Sequence, residues 1–548
     1  MSRQPPLSFA MLATGVALLV AAGFAPRAEA VRAGTAADAP KGGTLRMSRF
    51  SDVDFVDTAL AYTSWSWEIT YATCAKLFNY PDAAGRRGAR LVPEVVQRYS
   101  VSKDGRTYTF RLKPTFRFHT GAAVTAQSFA DAFNRNAQPR LQSPATAYLH
   151  EIVGARAVLD GKARSISGVR VLDRYGLQVR LTKPLGDFTA RLTMPFFCPL
   201  LPGTPVDPGG IDNPAGSGPY YLAERIVNQR VVLRRNPFYR GDRPANVDQV
   251  VWTAGVSREA CFDGVEDDRI DYCVGLGGIP TPAYRSAAEK HGVNRPGGRF
   301  VVDTSLTTWY FAFNHERAAF RGAGQIPFKK AINHAIDRPA MARAFGYLAG
   351  KRTDQMLPPS LARPEALYPL RGADPTTART WLARAGREPR ELVLYANSSG
   401  PAGIAIAQVF VYNLRQIGID VEVRYFDTIT LTEKSATPGE PFDIAMLGWA
   451  ADYADAAAFL VPLLKDGGAG SGTHFADPRV RRRVEAANRL TGEARRRALA
   501  DIDVELMRDN PPWAPFVHTQ NRTLVSRSTG CVLNHAVYGF DIAAVCKK

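Results

Sequence analysis

Leu392-Val393-Leu394-Tyr395, then Ala402 to Gln416 with Gly418 behind it, then Ile419-Asp420-Val421-Glu422-Val423-Arg424-Tyr425 read as one unit. A short apolar run, a helical segment closed by glycine and an alternating run predict strand, helix and returning strand. The pattern repeats outward. An apolar strand is expected over Trp309 to Asn314 and a helix from Pro327 to Ile336. Asp374-Pro375 opens a helix from Thr376 to Ala385 that Gly386 ends. Towards the N-terminus, Lys41 to Met47 reads as a turn entering a strand, and Ser64 to Leu77 has helical spacing before the turn Asn79-Tyr80-Pro81-Asp82. Two hairpins follow: Tyr99 to Ser102 with Tyr108 to Leu112 around Asp104-Gly105, and Val169 to Val171 with Leu177 to Leu181 around Asp173 to Gly176. Between them Thr125 caps a helix running to Asn134. After a Pro- and Gly-rich connection, Pro199 to Gly218, strands are expected at Tyr220 to Leu222, Arg230 to Arg234 and Val247 to Trp252. The alternation implies an α/β protein with open mixed sheets covered by helices.

The first thirty residues carry a different message. Arg3, an acid-free apolar run from Phe9 to Phe24 and Ala28-Glu29-Ala30 predict a secretory signal peptide over 1–30. Pro26 and Arg27 end the run short of the about 20 apolar residues that a spanning helix needs. No cysteine precedes Cys74, so the cysteine of a lipoprotein cleavage site is absent and a freely soluble periplasmic chain is expected. A length of 548 residues, 45% of them hydrophobic, accommodates two or more domains. The net charge of +18 is spread along the chain. Its densest patch, Arg481-Arg482-Arg483 with Arg495-Arg496-Arg497, reads as two solvated helix faces and not as a nucleic-acid stripe. Of six cysteines, Cys261 with Cys273 and Cys531 with Cys546 are close enough to close modest disulfide loops, whereas Cys74 and Cys198 read as buried small apolar residues. The eight histidines form no i, i+4 pair, no Cys/His spacing suits a metal, and neither Gly-x-Ser-x-Gly nor His-Glu-x-x-His occurs. No cofactor, metal site or enzymatic activity is expected.

Several stretches together resemble the peptide, dipeptide and nickel family of periplasmic solute-binding proteins that serve ATP-driven importers. They are Lys41-Gly42-Gly43-Thr44-Leu45; Leu91-Val92-Pro93-Glu94 with Ser102 to Leu112; Phe118 to Ala126; Gly216-Ser217-Gly218-Pro219-Tyr220; Arg235 to Tyr239; Phe313-Asn314; and Phe442-Asp443-Ile444 leading to Gly448-Trp449-Ala450-Ala451-Asp452-Tyr453. They run in family order over nearly the whole mature chain.

The resemblance implies a two-lobed fold with a hinge of two crossings and an extra inserted subdomain. Lobe I takes residues 31–75, 214–305 and 519–548, the insert 76–213 and lobe II 306–518, with crossings near Thr304 to Trp309 and Trp513 to Thr519. It implies capture of a small solute, a peptide first, for an inner-membrane permease and its ATPase, by a monomer. A nickel complex, an opine, a sugar or another organic cation are alternatives within the fold, and a peptide-binding chaperone is one outside transport. Asp452 matches the acid that holds a peptide's α-ammonium, or else caps a helix starting at Tyr453. Trp449 walls the pocket or fills the core of lobe II. Tyr453, and Tyr62 and Trp65 of the loop Ala61 to Trp65, line the cleft or serve packing, as do Trp309 and Tyr310 at the crossing. His119 matches a structural turn. No arginine is placed for a peptide carboxylate, and Ala450 stands where some peptide binders carry cysteine.

Overall fold

Three sheets of four or more strands organise the described residues. Thr44–Ser48 turns Leu45 and Met47 inward, and its partner Gln249–Thr253 turns in Val250 and Trp252. These two strands run parallel, and with Tyr272–Cys273, Arg230–Arg235 and Tyr220–Ile226 they make a mixed five-stranded sheet. Val96–Val101, Thr107–Leu112, Gly176–Arg180 and Val169–Asp173 form an antiparallel four-stranded sheet from the two expected hairpins. The third sheet has six strands in the order Gly350–Arg352, Trp513–Leu524, Phe300–Phe313, Ile444–Ala450, Glu391–Asn397, Asp420–Phe426. This description comes from a computed structural model and covers residues 39–275, 278–386, 391–464 and 472–548. The signal peptide expected over 1–30 lies outside the described residues. No helix among the described residues is long and apolar enough to cross a membrane.

The strand-helix-strand unit forms as its pattern predicts: Glu391–Asn397 and Asp420–Phe426 pair in parallel, joined by the helix Pro401–Arg415. The helix Pro375–Ala385 is capped by Asp374, whose carboxylate accepts from the Thr377 amide at 2.9 Å, and ends on Gly386 in the left-handed region. Thr125 caps Ala126–Asn136, whose Phe129 and Phe133 are fully buried.

Three expectations need correction. The strand expected from Trp309 begins at Phe300, because the polar pair Asp303-Thr304 looks like loop yet is held by pairing with Asn521 and Gln520 of the strand Trp513–Leu524. The helix from Ser64 stops at Thr73, because its last carbonyl is taken by the amides of Ser217 and Gly218, and Ala75 and Lys76 then donate to Ser217 Oγ and Glu94. Cys74 and Cys198 are not lone apolar residues: they form a disulfide with Cα atoms 5.9 Å apart, beside the pairs Cys261–Cys273 and Cys531–Cys546. Burial alone does not separate a packed thiol from half of a disulfide when the partner is 124 residues away.

The long strands Phe300–Phe313 and Trp513–Leu524 form an antiparallel ribbon that leaves the six-stranded sheet, and Val525 beyond it bridges to Tyr272 at the edge of the five-stranded sheet. The ladder has one irregularity between Thr304 and Thr308 and another between Trp309 and Tyr310. The fold is thus two-lobed, with two crossings and an inserted four-stranded subdomain. One apolar cluster extends from the insert, through Phe110, Phe129 and Phe196, to Tyr310, Tyr395 and Phe459 of the six-stranded half.

Candidate functional site

The strand Ile444–Ala450 pairs antiparallel with Phe300–Phe313, and the chain beyond it carries Asp452 to the boundary with the insert. Asp452 is 7% exposed and accepts a hydrogen bond from Tyr148 Oη at 2.5 Å. Tyr62, from the loop before the helix Ser64–Thr73, places its hydroxyl on the same carboxyl. Burial pushes the Asp452 carboxyl up to about 6, although both tyrosine hydroxyls favour its ionised form. Burial also raises both tyrosines, so they remain protonated donors. Among the described residues no arginine or lysine forms an ion pair with Asp452. Nor does it cap a helix: the next one is Ala457–Leu464, and Asp455 bonds the Ala457 amide.

Tyr62 is held by Asp54, which accepts from the Tyr62 amide at 2.8 Å, and Thr63 caps the helix behind it. The residue is 42% exposed, and its ring lies 5.6 Å from Phe196 and 5.9 Å from Trp67. Trp65 lies elsewhere. It packs on the five-stranded sheet's cluster, with the Arg49 guanidinium 3.9 Å from its ring centre and its indole donating to Asp52 O at 3.3 Å.

Trp449 is half-buried and ties strand to helix, donating from Nε1 to Ala458 O at 2.8 Å. Tyr453 is buried, and its hydroxyl donates to Asp187 of the insert at 2.7 Å. Trp309 and Tyr310 alternate across their strand. Trp309 packs on Phe345 at 5.1 Å, whereas Tyr310 joins the cluster that includes Tyr453 and lies 5.9 Å from Trp513. The structure therefore brings Asp452, Tyr62 and Tyr453 to one locality and leaves Trp65 and Trp309 in other packing environments.

Sequence reasoning missed four participants. Tyr148 ends a short Pro144–Tyr148 turn of 3-10 helix and lies 304 positions from Asp452. Asp187 and Asn488 face each other across the same boundary, Asn488 Nδ2 donating to Asp187 Oδ1 at 3.1 Å. Arg495, read as part of a solvated face, is buried and chelates Asp455 with bonds of 2.6 and 2.7 Å. A composition-based reading cannot separate it from its exposed neighbours Arg496 and Arg497.

His119 takes no part in a metal cluster: its Nδ1 accepts from the Gly216 amide, and its ring stacks on Tyr221 at 4.3 Å. A polar hollow of about 260 Å³ beside it is lined by Tyr221, Glu224, Arg234 and Gln249, none of which belongs to the Asp452 locality. No group of three or more potential metal ligands occurs among the described residues.

Comparison with known proteins places this geometry in a family. The periplasmic oligopeptide-binding protein OppA of Salmonella typhimurium is 24% identical over 543 residues, which cover 93% of this chain and 95% of that protein. The periplasmic murein peptide-binding protein MppA of Escherichia coli is 26% identical over 454 residues, 79% of this chain and 81% of the relative. Among solved structures, the clavulanic acid biosynthesis oligopeptide binding protein 2 superimposes with a TM-score of 0.82 at 23% identity, over 93% of this chain and 96% of that one. The model of bacterial extracellular solute-binding proteins, family 5 Middle, matches residues 90–471. With most of its length covered by that match, the chain belongs to the family 5 bacterial extracellular solute-binding proteins.

Proposed function

We propose that this chain captures a peptide, or another small amine-bearing solute, between two lobes in the periplasm and delivers it to an inner-membrane permease driven by its ATPase. The observation that carries this reading is Asp452, a buried carboxylate bonded by tyrosine hydroxyls and by no cationic side chain among the described residues. A desolvated carboxylate in that setting gains about 1.5–3 kcal/mol from a hydrogen-bonded ammonium. The oligopeptide and murein-peptide relatives support peptide as the solute class. The reading divides the chain into lobe I (31–75, 214–305 and 519–548), the insert (76–213) and lobe II (306–518), exported by its first thirty residues and acting as a monomer that leaves the solute chemically unchanged. Solute touching both lobes favours the closed arrangement.

Native mass spectrometry of protein purified without refolding tests this. An added mass that proves to be an amine-bearing compound is expected, and Asp452→Ala should release it. Full retention by that variant sinks the assignment.

A further inference from the structure

Asp187 forms a second polar contact across the boundary that Asp452 faces. It precedes the short helix Phe188–Arg191 and is fully buried. Its Oδ2 accepts from Tyr453 Oη at 2.7 Å and from Arg191 Nε at 2.9 Å, and its Oδ1 from Asn488 Nδ2 at 3.1 Å. Beside it the Gly186 amide donates to Asn488 O at 2.7 Å, and a Cβ on Gly186 would sit 2.4 Å from Leu490 O. Asn488 Oδ1 also accepts from Arg495 Nε at 3.0 Å, and the Ala454 amide donates to Tyr80 Oη at 2.9 Å. Residues 453, 454 and 455 are thus held in turn by Asp187, Tyr80 and Arg495.

Two tyrosine–aspartate bonds cross the boundary in opposite senses. Tyr148 of the insert donates to Asp452, and Tyr453 donates back to Asp187. The two rings meet edge to face with centroids 6.4 Å apart.

We propose that Asp187, Tyr453 and Asn488 form a clasp between the insert and lobe II that closes the cleft and positions Asp452 for its solute. This rests on the solute-binding reading above. A clasp of this kind must hold when made and yet release. On separation Asp187 keeps Arg191, which also bonds Glu151 at 3.2 Å, and Asn488 keeps Arg495. The Tyr453 hydroxyl, the Asn488 and Gly186 amides, the Ala454 amide with Tyr80 Oη, and Tyr148 Oη with Asp452 exchange partners, and water satisfies each of them. No buried charge is stranded, so opening avoids the penalty of breaking an ion pair. Tyr453, Asn488 and Asp187 act as positioning residues: they fix where Asp452 stands without themselves touching solute.

The test uses the full mature chain carrying Tyr453→Phe, with Asn488→Ala as a second variant should one fold poorly. Small-angle scattering after exhaustive dialysis reads the open-to-closed ratio, and native mass spectrometry before dialysis reads the fraction carrying retained solute. Loss of one hydrogen bond to a carboxylate is expected to shift the ratio towards open about tenfold and to cut retained solute severalfold, with the melting temperature little changed. A lower melting temperature with unchanged scattering marks a merely structural role and overturns the proposal. If wild-type protein carries no solute, the solute-binding reading fails on the mass spectrum, and the clasp stands or falls on scattering alone.

Discussion

Asp452 and Asp187 lie on opposite sides of one boundary, both are buried, and each accepts a tyrosine hydroxyl from across it. Their electrostatic surroundings differ. Burial by itself raises both carboxyls, but around Asp187 the charges of Arg191 and Arg495, together with hydrogen bonds from Tyr453 and Arg191, outweigh it and hold the carboxyl below the usual carboxylate range. Around Asp452 the two tyrosine hydroxyls and its own backbone amide oppose burial without a neighbouring cation, and the carboxyl rises to about 6. The comparison separates two buried acids: one has its cation in Arg191, and the other has none among the described residues and, on the proposed reading, receives one from the solute.

The sharpest break of this comparison is Asp187→Ala. It leaves Arg191 buried without its aspartate, and a loss of about 3–5 kcal/mol in unfolding free energy at pH 7 is expected by chemical denaturation. A loss near zero would erase the distinction. Next in size, Asp452→Asn should cost about 1.5–3 kcal/mol in affinity for a retained amine ligand by calorimetry. Its effect on stability has the opposite sign. With burial raising its pKa from the ordinary 3.8 to about 6, native Asp452 holds its proton where the unfolded chain releases it. Stability is therefore lost as pH rises from 4 through 6, and Asp452→Asn should be the more stable protein at pH 8 with no gain at pH 4. Asp187 behaves conversely, its contribution being present above the unfolded value and lost as pH falls through its lowered folded value.

Ligand affinity gives a third expectation. An ammonium needs the ionised carboxylate, so affinity should fall about tenfold per pH unit below 6 and flatten above 7, and the asparagine variant should lose that dependence. Smallest, Tyr148→Phe removes a hydrogen bond worth about 1 kcal/mol. Because that bond favours the carboxylate, its loss should move the midpoint of the affinity profile above 6. A midpoint that stays in place would take Tyr148 out of the site.

Much of the architecture is local information. Asp374 and Gly386 bracket their helix by capping chemistry, Asp104-Gly105 turns its hairpin, and the β-α-β unit follows from a change in hydrophobic period. Asp452 was legible only through the collinear match around Gly448-Trp449, since no spacing marks it. Tyr148, Asp187 and Asn488 had no sequence signal, because their meaning lies in contacts between residues about 300 positions apart that polarity and periodicity do not encode. Arg495 shows the same limit from the other side: its neighbours are solvated, and its burial depends on Asp455 approaching from another element.

The ribbon that joins the two halves has a mechanical consequence. Phe300–Thr304 with Gln520–Leu524 and Thr308–Ala312 with Trp513–His518 are two laddered stretches with a gap between them at Ser305 to Thr307. A paired two-stranded beam resists in-plane bending, so bending between the halves is expected to gather where the rungs between these two strands are missing. Within the gap the contacts are to other partners: Ser305 Oγ bonds Thr519 O at 3.0 Å, and Leu306 joins the Ala536 carbonyl and the Ala451 amide. At this crossing, bending between the lobes is expected to concentrate in the torsions of Ser305 to Thr307, beside the second crossing at Trp513 to Thr519. That makes Ser305 to Thr307 the stretch where a single substitution could retune the swing of the whole molecule.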